Sequence, residues 1–223
     1  MVAGPESGHA SPVNEGTPAD TRTLRVLVVD DHAAVRAGVQ AVLAREPDLQ
    51  PIGGASSADQ ALDKTRARRP DVVVVDHRLE AGDGLTLTRQ LKALPEPPSV
   101  LLYSAHADAA LTVAAVVAGA DGLMGKGSDA DELCDAIRSV ASGHDVRPRI
   151  LPATLRSTAE RLDPADVPIL GMLVHRTPPG DIARVLDMTE RRLDARRWAM
   201  LRRLTGRDRR TSARERGLVH ACL

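Results

Sequence analysis

The sequence predicts an α/β fold, a doubly wound five-stranded parallel sheet, followed by a small all-α domain. Two patterns carry this. From residue 24 short apolar runs alternate with longer segments of helical period, and from Leu162 onward only helical segments occur. Charge divides the chain at the same place. The formal net charge is zero, yet residues 24–146 carry 12 Lys+Arg against 18 Asp+Glu, whereas residues 189–223 carry 11 Arg against 4 acids. An acidic front and a basic end describe two modules, the second suited to a polyanionic partner.

The strands are expected at Leu24–Val29, Gln50–Gly53, Asp71–Val75, Ser99–Tyr103 and Gly122–Met124. Each is a short apolar run, and the four consecutive valines of 72–75 mark a strand covered on both faces. Between them the helical period places helices at Ala33–Arg45, Ser57–Arg69, Gly84–Leu94, Asp108–Ala118 and Asp129–Ser142. The rhythm breaks after Gly143, and residues 146–160, with two prolines and several arginines, are expected to be a linker. Helices then follow at Pro164–His175, Gly180–Leu186 and Glu190–Leu204. The domain plan is a disordered tail over 1–23, an α/β domain over 24–145, the linker, a helical domain over 161–210 and a flexible tail over 211–223.

Composition excludes several classes. Cys134 and Cys222 are the only cysteines, too few for a disulfide framework and consistent with a reducing compartment. The first 23 residues contain no apolar core of a signal peptide. The most apolar stretch, Ala109 to Ala120, lies between Asp108 and Asp121 and falls short of the ~20 residues needed to cross a bilayer. A cytoplasmic protein with no membrane partner is expected. Lysine is confined to Lys64, Lys92 and Lys126 among 30 basic residues.

In a doubly wound sheet, ligands bind at the carboxyl ends of the strands. Asp30 and Asp31 end the first strand there and Asp76 ends the third, and carboxylates so clustered repel one another unless a hard cation sits between them. Oxygen ligands suit Mg²⁺. Ser104 ends the fourth strand and Lys126 follows the fifth, adding a hydroxyl and a cation. This set is what phosphoryl transfer to an aspartate requires. His32 and His77 flank the carboxylates but, as nitrogen donors, are read as outer or surface groups. Arg78 and His106 border the path of an attacking water.

The segments VLVVDDH (26–32), DVVVVDHRLEAGDGL (71–85), YSAH (103–106) and GADGLMGK (119–126) resemble a response-regulator receiver domain, over about residues 24–145 and without a gap. The resemblance implies a flavodoxin-like sheet, Asp76 as phospho-acceptor, and Mg²⁺ held by Asp30, Asp31, Asp76 and the backbone carbonyl of Arg78. It also implies Ser104 as switch hydroxyl and Lys126 as the lysine that pairs with phosphate. Three positions depart from the pattern: Glu80 stands for the usual proline, Gly127 for a proline or acid, and Leu123 for the usual aromatic.

Residues 162–209 resemble the LuxR-type helix-turn-helix of NarL/FixJ response regulators. Leu162, Leu170, Leu173, Ile182, Ala183, Leu186, Met188, Leu193, Met200, Leu201 and Leu204 match its core. Thr189 and Glu190 match the start of its recognition helix, Thr as N-cap and the acid in the first turn. The resemblance implies that Glu190–Leu204 enters the major groove, with Thr189, Arg191, Arg192, Ala195 and Arg196 toward DNA. Asp194 replaces a basic residue, Arg197 a valine of the packed face, and Trp198 a small polar residue. Arg197 is therefore expected to snorkel outward, and Pro168, inside the first helix of the module, to kink it.

The expected function is a DNA-binding, non-enzymatic transcription regulator of a two-component system. A histidine kinase phosphorylates it on Asp76, and it acts as a homodimer. Three rivals stand beside it: a phosphorylation-independent regulator, a protein-interaction regulator motivated by Asp194, Arg197 and Trp198, and a metal-dependent phosphatase or phosphotransferase.

Overall fold

The structure is a computed structural model that describes residues 22–80 and 82–206. The expected terminal tails, apart from Arg22 and Thr23, lie outside the described residues. Five parallel strands, β1 (Leu24–Val29), β2 (Leu49–Ala55), β3 (Val72–Asp76), β4 (Ser99–Ser104) and β5 (Gly122–Gly125), form one sheet in the order β2-β1-β3-β4-β5. The valine strand β3 is central, and each of Val72 to Val75 is at most 1% exposed. The order reverses between β1 and β3, which opens a crevice beyond their carboxyl ends.

Helices α1 (Ala33–Leu43), α2 (Ala58–Arg68), α3 (Gly84–Lys92), α4 (Ala109–Ala118) and α5 (Ala130–Ala141) connect the strands. Four of them start on residues that cap by side chain: Ser57, Asp83, Asp108 and Asp129 accept from the amides of Gln60, Thr86, Leu111 and Glu132. Each satisfies a donor that the helix itself leaves unpaired. One element has no counterpart in the expected plan, a two-residue hairpin pairing Arg78–Leu79 with Gly82–Asp83. It is too short for any periodicity to register.

Gly84 closes that hairpin against the sheet. Its amide donates to the His77 carbonyl at 2.8 Å, and a Cβ there would lie 2.2 Å from the Asp76 carbonyl oxygen. Glycine at 84 is thus demanded by close approach of backbone to backbone.

The region after α5 corrects two expectations. The linker contains a helix, α6 (Pro152–Ala159), with proline in its first turn, where no hydrogen-bond donor is needed. Pro168 does not kink a helix. A 3-10 turn at Pro164–Asp166 precedes α7 (Val167–Val174), so Pro168 falls in the first turn of α7. Helices α8 (Pro179–Val185) and α9 (Glu190–Leu204) complete the module, with Thr189 capping α9 by accepting the Arg192 amide on its hydroxyl.

The two modules are packed together. One cluster of buried side chains runs from Val73, Val75 and Leu102 of the sheet through α4 to Leu170, Leu193 and Leu201. α4 is buried at every residue from Leu111 to Ala118, because the sheet covers one side while α6, α7 and α9 pack on the other. A helix apolar all round requires such double cover.

Gly84→Ala is expected to lower stability by about 1–3 kcal/mol through overpacking, seen as a lower urea midpoint. An unchanged midpoint would contradict the close approach.

Candidate functional site

The carboxyl ends of β1, β3 and β4 bring Asp30, Asp76 and Ser104 into the crevice, 2%, 6% and 3% exposed. Lys126, one residue past β5, reaches across: its Nζ lies 2.6 Å from Asp30 Oδ2 and 2.8 Å from Asp76 Oδ2. Its position is fixed by its own amide, which donates to the Ser104 carbonyl at 2.8 Å. Burial alone would lower the Lys126 ammonium, but the two carboxylate hydrogen bonds outweigh it and hold the group above the ordinary lysine value. It therefore stays cationic through the neutral range. Tyr103 stands beside it, with the ring centroid 5.9 Å from Lys126 Nζ.

Backbone groups orient the acids. Asp30 Oδ1 accepts from the His32 amide at 2.8 Å, Asp31 Oδ2 from the Glu80 amide at 2.8 Å, and Asp76 Oδ1 from the Arg78 amide at 3.3 Å. Arg36 of α1 donates to the carbonyls of both Asp30 and Asp31, at 2.7 and 3.1 Å. The Ser104 hydroxyl donates to the His106 carbonyl and accepts from its amide. His77 is half-buried, and burial holds its imidazole below the ordinary histidine value.

Ligand atoms of Asp30, Asp31, His32 and Asp76 all lie within 4.8 Å of one another. Asp31 Oδ1 is buried without a hydrogen-bond partner, 2.7 Å from Nδ1 of the largely exposed His32 imidazole. Three carboxylates with an unsatisfied oxygen fit a hard divalent cation such as Mg²⁺, and the imidazole adds little to that affinity. A cleft of about 480 Å³ opens over these groups, lined by Asp31, Asp76, Ser104 and Lys126 and also by Leu204 and Thr205 at the end of α9.

All the sequence-predicted receiver residues thus meet in one place. Arg36, Tyr103 and the Glu80 amide were missed. Arg36 and Glu80 act here through or on backbone groups, which residue type does not disclose, and Tyr103 precedes Ser104 inside a motif already noted.

The basic helix is arranged differently from expectation. Arg191, Arg192 and Ala195 of α9 are exposed. Arg196 is not free: its Nε donates to Asp166 Oδ1 at 2.6 Å, and Asp166 is 3% exposed, so this arginine ties α9 to the base of α7. Arg197 does not snorkel to water either. It is partly buried against α4, where its Nε donates to the Val117 carbonyl at 3.2 Å, a cation at a helix C-terminus. Asp194 meets Arg89 of α3 at 2.6 Å, and the Arg89 guanidinium stands over Trp198, 5.4 Å from the ring centroid. The three residues that depart from the helix-turn-helix pattern all make contacts from α9 to the α/β domain. The signal for this lay in α4, whose apolar run, interrupted only by Thr112, lacks the polar face of a surface helix.

Lys126→Ala, without divalent cation, is expected to lose about 3 kcal/mol. That is the low end for a broken buried pair, because Lys126 is 21% exposed. Added Mg²⁺ is expected to raise the thermal midpoint of this variant more than that of the parent, and equal shifts would contradict a shared cation role. With its folded pKa raised, the lysine's stabilisation is complete below about pH 10 and is lost only as pH climbs through the raised value.

A family model for the response regulator receiver domain matches residues 26–138. The DNA-binding transcriptional activator DevR/DosR of Mycobacterium tuberculosis is 33% identical over 201 residues, spanning 85% of this chain and 92% of that protein. The nitrate/nitrite response regulator NarL of Escherichia coli is 28% identical over 176 residues, 74% of this chain and 82% of that protein. Among solved structures, a LuxR-family two-component response regulator from Aurantimonas sp. SI85-9A1 has a TM-score of 0.54 and 31% identity, covering 62% of this chain and 96% of that one. A structure of RcsB dimers on DNA, at 19% identity and a TM-score of 0.54, covers 82% of this chain and 92% of that one and shares the fold. No helix among the described residues is long and apolar enough to cross a membrane. The acidic crevice with its lysine, the strand order and the trailing helical module converge with these similarities: the chain belongs to the response-regulator family, as a member of the NarL/FixJ type with a receiver domain followed by a LuxR-type helical module.

Proposed function

We propose that the protein is a cytoplasmic, DNA-binding response regulator, phosphorylated on Asp76 by a histidine kinase and controlling transcription rather than acting as an enzyme on a small substrate. The observation that carries this is the sharing of Lys126 between Asp30 and Asp76 at the floor of the cleft. A carboxylate oxygen of Asp76 attacks the phosphorus of a phosphohistidine. The P–N bond breaks, its electron pair stays on the imidazole nitrogen, which takes up a proton, and an acyl phosphate remains on Asp76. Lys126 is already cationic and offsets charge on the arriving phosphoryl oxygens. Mg²⁺ held by Asp30, Asp31, Asp76 and the Arg78 carbonyl would neutralise the remainder. Ser104, once it gives up its hydrogen bonds to His106, is placed to donate to a phosphoryl oxygen.

The output is DNA binding by α9, with Thr189 setting its start and Arg191, Arg192 and Ala195 toward the duplex. Support comes from their exposure and from the relatives' names, DevR/DosR being called a DNA-binding activator. The major groove, about 12 Å wide, admits a single helix, so α9 must leave α4 to enter it. Two modules on paired half-sites, as a homodimer, supply affinity that one module lacks. The residues that favoured a protein-interaction role, Asp194, Arg197 and Trp198, have their partners inside this chain.

The test is selection of genomic DNA fragments on the purified protein with and without beryllofluoride and Mg²⁺. A recurrent two-fold motif, enriched with the mimic, is expected; recovery of no common sequence from folded protein in either condition would contradict DNA reading. Arg191→Ala or Arg192→Ala is expected to reduce the salt slope of binding by about 1 for each phosphate that the arginine neutralises. An unchanged slope would place the phosphate-binding groups elsewhere. Arg196→Ala, by contrast, is expected to loosen the module itself.

A further inference from the structure

We propose that Arg36 is a positioning residue for the divalent cation. It holds the peptide carbonyls of Asp30 and Asp31 from outside the cleft and so fixes their carboxylates in the arrangement a cation needs, and Gly54 of the edge strand β2 leaves the slot in which its stem lies. The inference rests on Asp30, Asp31 and Asp76 being the cation site and adds what sets the affinity of that site.

Three observations support it. The first is how the two acids are tied. The Asp30 amide donates to the Ala55 carbonyl at 3.1 Å, while Asp30 Oδ1 and Asp31 Oδ2 accept from the amides of His32 and Glu80. The carbonyls of Asp30 and Asp31 both accept from a single nitrogen, Arg36 Nη1, at 2.7 and 3.1 Å. With these peptide units held, Asp31 Oδ1 stays buried and without a hydrogen-bond partner. An oxygen kept in that state can take a cation without rearrangement of the turn. Among the described residues Arg36 is not part of the cleft lining, so its influence on the cation passes through the acids.

The second is a cation placed where a helix disfavours one. Arg36 is the fourth residue of α1, and its side chain reaches back to carbonyls that precede the helix. The amino end of a helix carries partial positive charge, and α1 has neither an acid in its first turn nor a side-chain cap to offset it. The guanidinium is therefore stabilised there by the two carbonyls and not by the helix.

The third is space. β2 lies at the edge of the sheet and carries a bulge: Val26 pairs with Pro51 but Leu27 pairs with Gly53, with Ile52 as the extra residue. Gly54 then falls beside Val28, and a Cβ on it would lie 3.2 Å from Arg36 Cδ and 2.7 Å from Gln40 Nε2. The Lys64 ammonium donates to the Gly54 carbonyl and holds the strand in place. Gly54 is not among the glycines with positive φ, so space, and not backbone conformation, is what calls for glycine at this position.

The test is calorimetric titration of the full-length protein with Mg²⁺ alone, beside urea unfolding of the same variants in EDTA. The parent is expected to bind and Asp31→Asn to lose binding. Arg36→Gln is expected to weaken Mg²⁺ binding by about tenfold, the low end for a group that orients metal ligands. Arg36→Lys, which keeps the charge on a stem one bond shorter, is expected to recover only part of that affinity. Gly54→Val, with Arg36 intact, is expected to weaken binding severalfold. The double variant Gly54→Val/Arg36→Gln is expected to bind no more weakly than Arg36→Gln, because two changes on one route are not additive.

The outcomes separate. Unchanged Mg²⁺ affinity in Arg36→Gln with a lowered urea midpoint would make Arg36 a purely structural residue and overturn the inference. Tighter binding in Arg36→Gln, or full affinity in Arg36→Lys, would assign its effect to charge instead of position and overturn it as well. Unchanged affinity in Gly54→Val, or losses that add in the double variant, would overturn the slot. Should Arg36→Gln fail to fold, Arg36→Lys and Gly54→Val carry the same test. A parent chain that binds no Mg²⁺, or whose binding survives Asp31→Asn, would overturn the cation site itself, and this inference with it.

Discussion

Three carboxylates within a few ångströms of one another at the ends of two adjacent parallel strands form an arrangement that only a cation makes tolerable. In this protein the first such cation is built in. Lys126 spans Asp30 and Asp76, and the backbone around it is organised to keep it there: the amide to Ser104, the tight hairpin closed by Gly84, and Arg36 on the carbonyls behind the acids. The buried, unsatisfied oxygen of Asp31 leaves room for a second, exchangeable cation. A fixed ammonium, an acidic cluster suited to a divalent cation and the Asp76 carboxylate in one crevice are the groups that the proposed phosphoryl transfer uses.

The same crevice explains why the helical module matters to the receiver. α4 presents apolar side chains on all sides, and the sheet can cover only one of them. The module covers the rest, carrying α9 to the edge of the cleft. The helix proposed to bind DNA is thus held by apolar burial, by Arg197 on the end of α4 and by Asp194 with Trp198 around Arg89. Residues that look like departures from DNA-binding character in the sequence serve intramolecular packing in the fold.

Much of the receiver was legible in the sequence, because its strands are short apolar runs and its chemistry uses residue types that stand out: Asp30, Asp31, Asp76, Ser104 and the rare Lys126. Helix boundaries fell within a few residues for the same reason, with Ser and Asp caps announcing four starts. The hairpin after Asp76, the helix inside the linker and the turn that relieves Pro168 were not legible. Each depends on one or two residues and on tertiary cover, below the length at which periodicity speaks. The docking of α9 was least legible of all. Arg196 and Arg197 are adjacent and chemically identical, and only the packed structure sends one to Asp166 and the other to the end of α4.

The central claim is that Asp76 receives the phosphoryl group. The direct measurement is to incubate the protein with a small acyl phosphate and Mg²⁺, reduce the product with borohydride, which converts an aspartyl phosphate to homoserine, and map the converted residue by mass spectrometry. Conversion at Asp76 alone is the predicted result. Conversion at Asp30 or Asp31, or none in folded protein, would contradict it.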